Sequence, residues 1–348
     1  MPKFIELRSD TCTLPTDEMR EVMANAVVGD DVYGEDPTVK RLEEIAAAKV
    51  GKESALFLPS GTMGNLAAVL THCKRGEEII LESECHIMYY EAGGICALGG
   101  VVPKIVRGTN GIMNPKDVKD ALRGKNIHYS PTSCITIENT HNRGGGTVYP
   151  LEDIVAIGNI AKEKGLKLHV DGARIFNAAL ASNVDVKELV APCDSVQYCL
   201  SKGLSAPVGS ILAGSREFIE RARATRKMVG GGMRQSGIIA AAGIVALEKM
   251  IDRLSEDHDN AKELARRLVD IKGIKIDLDT VQTNIIMLDL DTLEVDSERF
   301  ASELEMFNVK VTTRPPFGLR MVTNRNFSFS EIDEVEKAVR AVAHKLFK

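Results

Sequence analysis

The sequence contains no tryptophan, and aromatic residues make up 5% of its 348 positions. Basic residues are not interleaved with rings in the way that stacks nucleobases. With a net charge of −5 there is no cationic excess to neutralise phosphates or an anionic membrane surface. Nucleic acid and membranes are therefore not expected partners. Long hydrophobic runs are also missing. Gly237 to Leu247, an uncharged apolar stretch of 11 residues, is too short to cross a bilayer and expected as a buried helix. The amino-terminal stretch Met1 to Leu7 has no apolar core of the secretory kind. None of the seven cysteines (Cys12, Cys73, Cys85, Cys96, Cys134, Cys193 and Cys199) forms a CxxC pair. That argues against a closed zinc site or a redox dithiol. Scattered single thiols fit a reducing compartment, so a cytoplasmic location is expected. No HxxxH or HExxH occurs, and no metal is expected. A Walker lysine and a strand followed by GxGxxG are both absent, which disfavours nucleotide binding. There is no internal repeat, low-complexity tract or heptad pattern.

What is present is an ordinary globular balance, 44% hydrophobic and 27% charged, in a chain long enough for two domains. Short β-prone runs alternate with helical patterns. Strands are expected at Ala55–Leu58, Glu78–Leu81, Val101–Val106, Cys134–Ile137, Leu168–Val170, Val196–Leu200 and Ser210–Ala213. Asp36-Pro37 reads as a helix start, with Val39, Leu42, Ile45 and Ala46 on one face and Gly51 beyond the end. Leu151–Gly165 reads as a helix between two strands. This alternation predicts an α/β fold with a mainly parallel sheet, whose ligands sit at the carboxyl ends of the strands. Two long helices, Gly237–Leu254 and His258–Val269, lead into strands at Ile274–Ile276, Asn284–Leu288 and Leu319–Val322 and a last helix near Ser330–Phe347. The later block reads as a smaller α+β domain. The expected division is 1–254 for an amino-terminal segment with the large domain and 255–348 for the small one.

Three motifs carry chemistry. In Leu168-His169-Val170-Asp171-Gly172-Ala173-Arg174 an apolar strand ends in an acid before a sharp turn. A turn-capping aspartate with a surface arginine is the plain alternative, about as good on local grounds. In Tyr198-Cys199-Leu200-Ser201-Lys202-Gly203-Leu204 a strand ends in lysine. Most lysines are solvated surface groups, but a strand-end lysine can serve as an amine nucleophile toward a carbonyl. A strand-end Lys and a strand-end Asp are what pyridoxal phosphate (PLP) needs, one to hold the aldehyde and the other to keep the pyridine nitrogen protonated. Leu58-Pro59-Ser60-Gly61-Thr62 opens a helix with free N–H groups and a hydroxyl. That suits a phosphate, although such a triplet by itself is more often a simple cap. The run Gly230-Gly231-Gly232-Met233-Arg234 gives Arg234 freedom to reach an anion; a plain interhelical loop is the competing reading. His86 and His128 are single histidines, each on its own more often structural than catalytic.

In this order the motifs resemble the low-specificity L-threonine aldolases, a family of fold-type I PLP enzymes. The matching stretches are LRSDT (Leu7–Thr11), VGDDVYGEDPTV (Val28–Val39), LFLPSGTMGN (Leu56–Asn65), His86 to Gly94, IENTHN (Ile137–Asn142), HVDGAR (His169–Arg174), CLSKGL (Cys199–Leu204) and GGGMRQ (Gly230–Gln235). They span the whole large domain; the last hundred residues match less distinctly. One departure, Cys12 where members carry Val, is a small apolar exchange. The resemblance implies that Lys202 carries the Schiff base and Asp171 partners the pyridine nitrogen. It implies Gly61 and Thr62 as phosphate donors and His86 as the imidazole stacked on the ring. Arg174 is implied as a ligand of the ring oxygen or of the substrate carboxylate, and Ser9 and Arg320 as a carboxylate clamp. His128 would stand near the substrate hydroxyl. Arg234 and Lys227 would reach the phosphate of a neighbouring subunit in a homotetramer with shared sites. The implied activity is retro-aldol cleavage of L-threonine or L-allo-threonine to glycine and acetaldehyde. β-Elimination and serine hydroxymethyl transfer need the same Lys and Asp and are the near alternatives; a non-catalytic binding protein that kept the fold is the distant one.

Overall fold

A computed structural model describes residues 4–291 and 295–347. The first three residues of the amino-terminal stretch considered above lie outside that range. Seven strands form one sheet in the order Ser54–Leu58, Ser210–Gly214, Ser195–Cys199, Lys167–Asp171, Thr132–Glu138, Glu78–Glu82, Val102–Val106. Ser210–Gly214 runs antiparallel to both of its neighbours, and the other pairs are parallel. The central strands are buried along their length and covered by helices on both faces. Their sequences are accordingly mostly apolar, as in the parallel strand Glu78–Glu82 with Ile79, Ile80 and Leu81 at its centre. All seven expected strands are present, within two residues at either end.

Local chemistry places the helices. Asp36 caps the helix Pro37–Lys49 by accepting from the Thr38 and Val39 N–H groups, with Pro37 at its first position. Gly165, left-handed at φ 68°, ends Leu151–Lys164. The expected helix Gly237–Leu254 is broken: one helix spans Gly237–Lys249, and the next, Leu254–Leu268, begins four residues before the expected His258. Neither glycine nor proline marks the break, so the sequence pattern runs through it.

The second core is built on the helix Leu254–Leu268, the helix Ile332–Leu346 and an antiparallel sheet in the order Thr312–Arg314, Gly318–Val322, Ile285–Leu290, Ile274–Lys275. Leu254 packs in the first core and Ala261 in the second. The first residues of the amino-terminal segment, grouped with the large domain from sequence, pack on the second core, whereas Met19 packs in the first. Ile5–Glu6 pairs parallel with Val309–Lys310, and Ile5 and Leu7 are buried there. A two-residue strand has no periodicity to read, which is why its partner was invisible in the sequence.

Candidate active site

Successive parallel strands end side by side, and their carboxyl ends carry the chemistry. Asp171 closes the strand Lys167–Asp171 and is 2% exposed. Lys202 follows the adjacent strand Ser195–Cys199 by three residues and is half-buried. Its carbonyl is held by the Thr13 hydroxyl at 2.8 Å. The Asp171 carboxylate accepts from Asn65 Nδ2 at Oδ2, 2.9 Å, and from the Ala173 N–H at Oδ1, 3.1 Å. Gln197, with its amide nitrogen turned toward the acid, also donates to Oδ1 at 3.1 Å.

The helix Gly61–His72 starts beside these strand ends, capped by the Ser60 hydroxyl, which accepts from the Met63 N–H. A Cβ at Gly61 would stand 2.9 Å from Cys199 Sγ, and one at Gly64 would stand 2.6 Å from Gln197 Cγ. Both glycines are thus required by the close approach of helix to sheet.

His86 opens a short helix after Glu78–Glu82, its backbone N–H held by Glu138 Oε2 at 2.7 Å. Its Nδ1 lies 3.0 Å from Glu91 Oε1. Burial opposes charge on both, but the hydrogen bond to Glu91 and the nearby Asp171 raise the His86 pKa. Glu91 is raised by burial, against the pull of His86. Together they hold protons more firmly than free side chains would. One atom each of His86, Glu91 and Asp171 lies within 4.8 Å of the others. That spacing also suits metal ligands, but here Asn65 donates to both acids and His86 Nδ1 faces Glu91.

The opposite wall is cationic. Arg174 makes a bidentate pair with Asp10, both bonds 2.7 Å and both residues buried. Burial alone would raise the Asp10 carboxyl; Arg174, with Lys202 and Arg320 nearby, holds it down at about 2. Arg320, on the strand Gly318–Val322, reaches the same place from the small domain. Burial and the charge of Arg174 lower its pKa to about 10. Its Nε is buried without a hydrogen-bond partner among the described residues. A buried arginine donor without a partner beside a second arginine suits an anion. Ser9 caps the short turn Asp10–Cys12 and accepts from the Thr11 N–H.

The structure therefore brings Lys202, Asp171, His86, Arg174, Arg320, the segment Ser9–Asp10 and the helix start at Gly61 and Thr62 to one end of the sheet. It does not bring His128 there. His128 is exposed in the turn before Thr132–Glu138, at the amino end of that strand. The cluster lies at the carboxyl end, roughly 20 Å away along the strand. Within this chain His128 therefore stands apart from the crevice that the sequence reading had it enter. Lys227 and Arg234 are exposed as well, and Arg234 pairs with Asp30 at 3.1 Å.

Sequence reasoning missed Asp10, Asn65, Glu91 and Gln197. The first three lie inside matched stretches, but nothing about them marks a role until their partners are seen. Gln197 had no signal at all.

The profile of the beta-eliminating lyase family matches residues 6–291. Low-specificity L-threonine aldolase 1 of Arabidopsis thaliana is 47% identical over 335 residues, covering 95% of this chain and 94% of the relative. The low specificity L-threonine aldolase of Escherichia coli K12 is 44% identical over 339 residues, covering 97% and 99%. Among solved structures, Leishmania major threonine aldolase superposes with a TM-score of 0.82 at 19% identity, covering 99% of this chain and 100% of that one. Serine palmitoyltransferase of Sphingomonas wittichii superposes with a TM-score of 0.79 at 20% identity, covering 99% and 88%. The last two likenesses are of fold.

Proposed function

The chain belongs to the beta-eliminating lyase family and, within it, to the low-specificity L-threonine aldolases, and we propose on that premise that it cleaves L-threonine and L-allo-threonine to glycine and acetaldehyde using PLP. The observation that carries the reading is the meeting of Lys202, buried Asp171 and the unsatisfied Arg320 Nε at one sheet end.

These residues fit the cofactor. Lys202 offers the amine that holds its aldehyde. Asp171, fixed as an acceptor by three N–H donors, suits a protonated pyridine nitrogen. The N–H groups at Gly61 and Thr62 suit its phosphate. When bound, the cofactor accepts the electron pair released as the Cα–Cβ bond of the substrate breaks.

The protein supplies orientation and proton handling. Arg320, with Ser9, receives the substrate carboxylate. Arg174 is committed to Asp10 through two of its donors, so its part is to present the remaining Nη1 and hold the wall in shape. With Nδ1 facing Glu91, Nε2 is the ring nitrogen of His86 open to the cleft. The β-hydroxyl proton must leave as the aldehyde forms, and Cα must gain a proton as glycine forms. His128 serves the hydroxyl only across a subunit contact, as do Lys227 and Arg234 for the phosphate. A homotetramer with shared sites accommodates all three. Among the described residues no helix is long and apolar enough to cross a membrane, and the cytoplasm remains the proposed location.

The test is the absorption spectrum of the purified protein, followed by product analysis with L-allo-threonine. Acetaldehyde and glycine in equal amounts are expected. Ammonia with a keto acid would replace the reading by β-elimination, and a colourless protein that takes up no PLP would remove it.

A further inference from the structure

Behind Asp171, a set of buried polar groups extends beyond its own donors. Asn65, on the second turn of the helix Gly61–His72, is 1% exposed. Its Nδ2 lies 2.9 Å from Asp171 Oδ2 and 2.8 Å from Glu91 Oε1. Its Oδ1 lies 3.2 Å from His169 Nε2. His169 Nδ1 is 2.8 Å from Ser195 Oγ, and Ser195 Oγ is 2.7 Å from His72 Nε2.

We propose that Asn65 is a positioning residue of this site, one amide that ties Asp171 and Glu91 together and anchors both to a one-way hydrogen-bond chain running through Asn65, His169, Ser195 and His72.

The direction follows from donor arithmetic. An amide nitrogen has two protons, and two carboxylates face it, so each receives one. The amide oxygen can only accept, so His169 Nε2 carries a proton. His169 is buried and neutral, its pKa lowered by that burial to about 4 despite the nearby Asp171 charge, so its Nδ1 is bare. Ser195 must then donate its single proton to Nδ1, and its lone pair must receive one from His72 Nε2. His72 is also held neutral by burial, and its Nδ1 is bare and unpartnered among the described residues. Every link agrees with the next, and reversing any one would set two donors or two acceptors against each other. Asn65 also acts on His86 at second hand. It fixes Glu91, and Glu91 accepts from His86 Nδ1. One side chain therefore sets both the acid assigned to the pyridine nitrogen and the tautomer of the stacking imidazole.

Asparagine alone meets these demands. Aspartate has the shape but no donors and would be a third acid in a buried cluster. Leucine has neither donor nor acceptor. Glutamine is one methylene too long for a site with no spare room.

The test is ¹⁵N NMR of the histidine rings in cofactor-free protein, with steady-state kinetics on the loaded enzyme. In the native protein, His169 and His72 are expected neutral with the proton on Nε2. A proton on His169 Nδ1, or a doubly protonated His169, overturns the proposal without any variant. Asn65→Leu should shift His169 away from its fixed tautomer while leaving His258 unchanged, because His258 Nε2 faces the Asn177 amide outside this chain. Asn65→Asp keeps an acceptor for His169 and should preserve its tautomer, yet lose kcat by about tenfold or more through the missing donors to charged groups. Native kcat in Asn65→Asp overturns the positioning role. Only the effect on kcat rests on the function proposed above. A native protein without PLP or aldolase activity would sink that function, while the ring tautomers still decide the chain.

Discussion

Asp10 and Arg174 show how single residues make this site and how their charges can be tested. With the Asp10 carboxyl held at about 2 against an ordinary value near ~3.9, the unfolded chain takes up its proton first as pH falls. The pair's contribution, about 2 kcal/mol, is complete above roughly pH 4 and is lost as pH falls toward 2. Melting temperature against pH should show this step, and Asp10→Asn should flatten it. His169 and His258, each lowered to about 4 by burial, act at higher pH. They are neutral when folded, and their contribution is complete above roughly pH 6.5 and falls away toward pH 4. Arg320 is tested by kinetics. Arg320→Ala should raise KM for threonine by about 10- to 100-fold, the worth of a hydrogen bond between charged groups. Arg320→Lys should recover only part, because an ammonium lacks the planar fork. An unchanged KM in Arg320→Ala would take Arg320 out of the carboxylate clamp. Asp171→Asn keeps the shape but loses the charge, so it should retain PLP yet lose most turnover; near-normal turnover would unseat Asp171 as partner of the pyridine nitrogen.

At the scale of elements, the helix Gly61–His72 does most to align the site. It offers its amino end at one side and Asn65 on its inner face, pressed against the strand Ser195–Cys199. Gly64→Ala tests that fit. Its Cβ would meet Gln197 Cγ at 2.6 Å, and Gln197 is the side chain that must turn its amide toward Asp171. Overpacking of this kind costs about 1–3 kcal/mol. A lower melting temperature and weaker retention of PLP are expected together. A loss of stability with unaltered PLP affinity would separate helix packing from the site.

The whole molecule sets what one chain can complete. The small domain delivers Arg320, the amino-terminal segment crosses from the second core to deliver Ser9 and Asp10, and the large domain supplies the rest. His128, Lys227 and Arg234 stay exposed at the surface, and the shared site proposed above needs another copy. Mixing inactive Lys202→Ala chains with inactive Arg234→Ala chains should restore some activity, because one kind of hybrid site then has both groups intact. No recovery, with subunit exchange demonstrated, would refute the shared site.

The sequence by itself determined the seven strands of the large sheet, because short β-prone runs alternating with helical patterns can be read without knowing their partners. It also pointed to Lys202 and Asp171, since Asp171 ends one strand and Lys202 follows the end of the next. It could not determine that His128 and Lys202 lie at opposite ends of the sheet. Single histidines carry no mark of the strand end they stand at, and only the direction of Thr132–Glu138 settles it. Nor could it determine that Ile5–Glu6 belongs to the second core, or that Asp10, Asn65, Glu91 and Gln197 serve the site. Their roles are hydrogen bonds between residues far apart in the chain, such as that of Arg174 to Asp10 across 164 positions. Such bonds depend on the meeting of elements in space, which no local pattern records.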